Sequence, residues 1–292
     1  MTITLQNHRL TVQIDDLGAQ LCSVKDAAGS EYIWQADPAI WGRHAPILFP
    51  IIGRLKDSQY ELDGKTYTIP SHGFARDSRF QLVEATDLRA VFRLTHSEAT
   101  LAVWPFPFTL TVTYELEEDR LIKTVRVNNP GDRPMLYELG GHDGFVAPSP
   151  MDDWAISIPG LDAIQPYGMD AANMITPKAA IHPLENGRIP LKPAVFGLDT
   201  IILGDLPVSQ ATLVDKDGHP RVTLDFPGFP YLGLWTADKP VDTNYVCIEP
   251  WTTLPDATFV GRALADKQGI RTLAPGGHDI LSYTTTFHEI KE

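Results

Sequence analysis

The chain is poor in cysteine, in basic residues and in long apolar runs, and each shortage excludes something. Its only cysteines are Cys22 and Cys247, far apart and both in apolar, strand-like surroundings. That argues against a disulfide-stapled fold and for two free thiols in a reducing cytoplasm. No Cys/His cluster has zinc spacing. No glycine-rich phosphate loop and no serine nucleophile elbow occurs. Lysine and arginine number 24 against 37 aspartates and glutamates, a formal net charge of -13. Nucleic acid and anionic membrane surfaces are therefore unpromising partners, and a strongly anionic substrate would need a local basic pocket. No segment approaches the roughly 18 unbroken apolar residues of a membrane-spanning helix. Residues 1–8 lack the basic stretch and apolar run of a signal peptide, so the expectation is a cytoplasmic protein.

What is present is an ordinary globular composition, 43% apolar and 21% charged. The dominant period is two, the alternation of half-buried strands. Residues 3–6 and 10–14 alternate, as do 108–116 and 121–129 around the polar turn Glu117-Glu118-Asp119-Arg120. Asp63-Gly64 and Asp217-Gly218 each separate two alternating runs, a strong hairpin signal. Residues 279–287 close the set. Helical patterns are scarce, with only a hint of a short turn at 256–257 and 261–265. The 24 prolines and 22 glycines are spread through the connections with no linker-like cluster. The reading is an all-β chain, one large antiparallel β-sandwich spanning residues 1–292 as a single domain. Its exposed edges would allow a homodimer.

Chemistry concentrates at three places: Ser71-His72-Gly73-Phe74-Ala75-Arg76, Gly140-Gly141-His142-Asp143-Gly144-Phe145 and Val246-Cys247-Ile248-Glu249-Pro250-Trp251. Two imidazoles and one carboxylate suffice for paired acid and base work near neutral pH. His72 alone reads equally well as a packed loop histidine. Three glycines around His142 favour a backbone approached by a ligand. Glu249 closes an apolar strand, so its carboxylate must be paired, hydrogen-bonded or poised for proton transfer. Arg54, after Pro50-Ile51-Ile52-Gly53, could fork its donors onto hydroxyls or stand at the surface. Arg76 and Arg79 lie near His72 in sequence. Asp199 stands among apolar residues, as a hydroxyl acceptor or a turn cap. Trp235 could stack on a sugar face or fill the core.

With those segments in hand, the sequence resembles the aldose 1-epimerase (galactose mutarotase-like) family, and within it the bacterial branch carrying a His-Gly-Phe-Ala-Arg segment. The matching residues are Phe49-Pro50-Ile51-Ile52-Gly53-Arg54, His72-Gly73-Phe74-Ala75-Arg76, Gly141-His142-Asp143-Gly144-Phe145 and Cys247-Ile248-Glu249-Pro250-Trp251, in the family's order. The resemblance implies a supersandwich of β-sheets, no cofactor, and a small-molecule sugar as substrate. It implies His142 as general acid, Glu249 as general base, and His72, Arg54 and Asp199 as substrate ligands. Trp251 and the Phe-Ala-Arg run depart from the best-known mutarotases and leave the sugar open.

The expected reaction interconverts the α and β anomers of a free aldohexose. Glu249 takes the anomeric hydroxyl proton while His142, starting as imidazolium, protonates the ring oxygen. The ring opens, C1–C2 rotates, and closure reverses both transfers. Three alternatives stand beside it. One is epimerisation of a hexose 6-phosphate, using Arg43, Arg54, Arg76 and Arg79. Another is a carbohydrate-binding protein of the same fold without turnover. The last is a metal site from His72, His142 and Glu249, weakened by the lack of a His-x-His pair.

Overall fold

The computed structural model describes residues 1–148, 150–192, 200–237 and 243–289, and it is built of antiparallel β-sheets. Alternation becomes burial with little loss. Strand Thr109–Glu117 alternates buried and half-buried residues and pairs with Arg120–Asn128, Glu117 opposite Arg120. Glu118 between them has φ 51, which closes the tight turn. Arg120–Asn128 pairs on its other side with His278–Phe287. These three are the middle of a nine-stranded sheet that runs from Gln81–Ala85 at one edge to Arg188–Pro190 at the other. At the hairpin Gln59–Leu62 and Lys65–Thr68, Asp63 (φ 52) and Gly64 (φ 71) both take the left-handed conformation that the Asp-Gly pair predicts.

A second sheet, of eight strands, packs against the first. Its heart is Tyr245–Trp251, which is buried along its whole length and flanked by Tyr231–Trp235 and by Asp143–Val146. The two faces of Tyr245–Trp251 have different surroundings, as the period of two requires. Val246 and Ile248 join the main core, an apolar cluster reaching from Leu5 to Phe287. Tyr245 and Cys247, on the other face, pack with Trp34 and Ala237, while Trp251 packs with Leu48, Ile52 and Ile202. The two small clusters leave room between them for Glu249.

The sheets are pinned together by charge as well as by apolar contact. Lys123, from the nine-stranded sheet, is 2% exposed and its Nζ lies 2.6 Å from Asp143 Oδ1 of the eight-stranded one. Tyr283 Oη donates to the second oxygen of the same carboxylate. One helix was not legible in the alternation. Glu98–Val103 is a six-residue α-helix begun by a capping box, in which Thr100 N donates to Ser97 Oγ and Ser97 N donates to Thr100 Oγ1. It is too short to show an apolar stripe, and its cap uses threonine where glutamate or glutamine is the usual signal. The hint at 261–265 resolves into a single 3₁₀ turn at Leu264–Asp266. No helix of the described residues is long and apolar enough to cross a membrane.

Candidate active site

The register of one strand pair creates the site. Gly140 lies opposite Trp251 and Asp143 opposite Ile248 across the antiparallel ladder, which sets His142 opposite Glu249. The partner strand is interrupted there, between Gly140–Gly141 and Asp143–Val146. Pro250 has no N–H to offer at that point. His142 Nε2 stands 3.3 Å from Glu249 Oε1, with the two side chains 10% and 1% exposed. Glu249 thus faces an imidazole and not the neighbouring-strand arginine that a structural role suggests. It also sits inside the strand, two residues before its end at Trp251, and not at the end. On its other side the partner is Gly233, which leaves space for the Trp251 ring.

The glycines around His142 have a reason different from the expected close approach of a ligand. A Cβ on Gly141 would lie 2.4 Å from Tyr283 Oη, and one on Gly144 would lie 2.9 Å from the Trp41 ring. A Cβ on Gly140 would lie 2.9 Å from Trp251. They admit the protein's own aromatic side chains. Trp41 in turn stacks on the His142 ring at 4.9 Å between centroids, and Trp235 meets it edge-on at 5.5 Å.

His72 arrives from a loop and is fixed by backbone. Its φ is 62, and Gly73 follows at φ 70. A side chain at Gly73 would put Cβ 2.3 Å from the Phe49 carbonyl oxygen, so only glycine fits. His72 N donates to Gly53 O at 2.7 Å, and Gly53 N donates back to His72 Nδ1 at 3.1 Å. Since Nδ1 accepts, the ring proton is on Nε2. The imidazole meets His142 edge-on, centroids 5.5 Å apart. Burial, and then His142 and the nearby arginines, hold its pKa well below the ordinary histidine value.

The arginines divide. Arg76 Nη2 donates to Ser71 O at 2.7 Å, and its Nε lies 3.6 Å from Asp77, which also takes a bond from Arg43. Burial, and then Arg43, push Arg76 down to about 10. Arg54 is exposed at the rim, its carbonyl accepting from Asp256 N. Arg79 pairs with Asp16 and takes no part in the cavity. Behind the Arg54 loop lies a buried polar cluster. Lys267 Nζ lies 3.2 Å from Glu138 and 3.4 Å from Asp256, and those carboxylates accept from Ile52 N and Lys56 N.

These groups line a cavity of about 250 Å³. Of the expected residues, His142, Glu249, His72, Arg54, Arg76 and Trp235 all reach it. Asp199 lies outside the described residues, although its neighbour Thr200 lines the cavity. Trp251, expected at the pocket from its departure beside Glu249-Pro250, also lines it, two residues from Glu249 on the same strand face. Trp41, Met169 and Asn173 were missed. Burial, and then the positive charge of Arg76, push the His142 imidazole down to about 3, so its surroundings disfavour the imidazolium from which the expected reaction starts.

The aldose 1-epimerase family model matches residues 1–263. The chain belongs to that family. It is 30% identical over 298 residues to the plasmid-encoded protein LacX of Lactococcus lactis subsp. lactis, covering 98% of this chain and 99% of that one. Its fold matches a galactose mutarotase related enzyme from Lactobacillus acidophilus with a TM-score of 0.93 and 32% identity, over 99% of this chain and 98% of the other. A relative in Escherichia coli (strain K12), whose name assigns it glucose-6-phosphate 1-epimerase activity provisionally, is 26% identical over 254 residues, 80% of this chain and 76% of its own.

Proposed function

We propose that this family member is a cofactor-independent aldose 1-epimerase that interconverts the anomers of a free aldohexose. The observation that carries the reading is the buried pair His142 and Glu249, 3.3 Å apart on the wall of a cavity that His72 and Arg54 also line. Binding alone needs no acid and base held together; opening a hemiacetal ring needs both. Glu249 removes the proton from the anomeric hydroxyl and His142 delivers one to the ring oxygen. The ring opens to the aldehyde, C1–C2 rotates, and the same two groups return the protons on closure. Burial disfavours the charged His142 ring, so the proton it delivers is taken up from solvent as the sugar binds, and the Glu249 carboxylate 3.3 Å away favours the imidazolium once formed. His72, donating from Nε2, orients a sugar oxygen without carrying charge.

A phosphorylated hexose is the second reading, favoured by the guanidinium groups near the mouth and by the name of the E. coli relative. Arg76 and Arg43 both lie against Asp77, however, whose carboxylate offsets part of the positive charge offered to a phosphate.

The test is polarimetry on freshly dissolved α-glucose and α-galactose in the presence of chelator. Wild type is expected to speed the approach to anomeric equilibrium, and Glu249→Gln to lower kcat by about 10²–10⁴-fold, the usual worth of a positioned base. Equal rates for the two proteins sink the assignment of the base. Acceleration of the 6-phosphates alone replaces the free-sugar reading, and sugar binding without turnover replaces the enzyme.

A further inference from the structure

Beside the acid and base of the proposed reaction lies a third donor that proton transfer does not use, the buried thiol of Cys247. Cys247 and Glu249 are two residues apart on one strand and so present their side chains to the same face. The ladder places Gly144 opposite Cys247, and its extension places His142 opposite Glu249. One ligand atom from each of His142, Cys247 and Glu249 lies within 4.8 Å of the other two, and all three residues are buried. The Cys247 thiol forms no disulfide.

We infer that this trio is a site for a thiophilic divalent cation, Zn²⁺ or Cd²⁺, bound by His142 Nε2, Cys247 Sγ and the Glu249 carboxylate, and that the ion shuts the pocket down. Tetrahedral zinc with bonds of roughly 2.0–2.3 Å sets its ligands about 3.3–3.6 Å apart. The His142–Glu249 separation of 3.3 Å already matches one edge of that tetrahedron. The other two separations are at most 4.8 Å, so closing them takes up to about 1.5 Å of approach, shared between two side chains. A nitrogen, a sulfur and an oxygen are the mixed donors zinc accepts, and three protein ligands leave its fourth position facing the cavity. On binding, the thiol gives up its proton to solvent and the thiolate bonds the metal. The imidazole and carboxylate donate lone pairs, and no electrons are exchanged. The ion then occupies the two groups that the sugar needs, so inhibition competes with sugar. Inhibition rests on the epimerase reading, whereas binding does not.

The experiment uses the intact chain, freed of metal by chelator. Equilibrium dialysis with Zn²⁺ should give one site, and Co²⁺ in its place should show the near-ultraviolet charge-transfer absorption of a cobalt–thiolate bond. Cys247→Ser, which keeps the side-chain volume, should lose that absorption and weaken zinc binding at least about tenfold, the least expected when even an outer partner of a metal site is lost. Its sugar turnover should stay within about twofold of wild type and become resistant to zinc. Cys247→Ala and a melting curve for each variant separate loss of a ligand from loss of the fold. His219→Ala is the control for the group of half-buried Asp215 with exposed Asp217 and His219, the other described cluster able to hold an ion. Cobalt bound without the thiolate band overturns the site, as does equal zinc inhibition of wild type and Cys247→Ser. Zinc that raises turnover overturns the inhibitory role. The thiolate band with no sugar turnover would leave the metal site standing and remove the epimerase.

Discussion

Burial and the nearby Arg76 hold the His142 imidazole below its ordinary pKa, and that has a consequence for stability. Its folded pKa, about 3, lies below the ordinary 6.5 of the unfolded chain. The unfolded state therefore binds more protons between those values, and stability rises with pH. The stabilisation is fully present above pH 6.5 and is lost as pH falls towards 3. The slope is at most about 1.4 kcal/mol per pH unit for one such group. His142→Gln should flatten the dependence of urea midpoint on pH in that window, and a slope equal to wild type would place the acid sensitivity elsewhere. Gly73 is the other residue whose chemistry is fully determined by its place. Gly73→Ala is expected to lose about 1–3 kcal/mol from its positive φ alone. The contact with Phe49 O should displace His72 as well, raising KM for sugar, and calorimetry together with turnover checks both. At this scale His142 and Glu249 were legible because polar side chains among glycine and apolar residues need a reason. Trp41 was not, since nothing near it in sequence ties an indole to a histidine a hundred residues away.

The elements that hold the site are linked by buried charges. Lys123 and Tyr283 belong to one sheet and Asp143 to the other, so the pair spans the sandwich directly beside His142. Lys123→Met removes one partner of a fully buried ion pair and should cost about 3–5 kcal/mol, because Asp143 is left charged in the core. Chemical denaturation measures this, and a change under about 1 kcal/mol would show that Tyr283 alone satisfies the carboxylate. The strands themselves could be read from their period, and the Asp-Gly turns from their backbone preference. The helix Glu98–Val103 could not be read, because one turn and a half of helix leaves no period to detect. The buried lysines were equally silent. A lysine in an alternating strand looks like a solvated position until the opposite sheet supplies its carboxylate.

Across the whole molecule the charge is strongly negative, -13 at neutral pH. Long-range attraction therefore cannot help an anionic substrate find the cavity, and a neutral sugar is indifferent to it. The expectation is that kcat/KM for a free aldohexose changes less than about twofold between low and physiological salt, where surface charges are progressively screened. A steep rise with salt would mark a substrate repelled by the surface, as a sugar phosphate would be.

The amino-acid sequence by itself determined the all-β architecture, the main hairpins and most of the residues that meet in the cavity. Strand period and turn preference are local, and a polar group in an apolar setting is conspicuous wherever it stands. Tertiary structure alone decided that His142 faces Glu249, that the glycines make room for tryptophan and tyrosine, and that Cys247 lies beside both. Those facts depend on strand register and on which sheet face is covered. Both are set by contacts between residues distant in the chain, which no local pattern encodes.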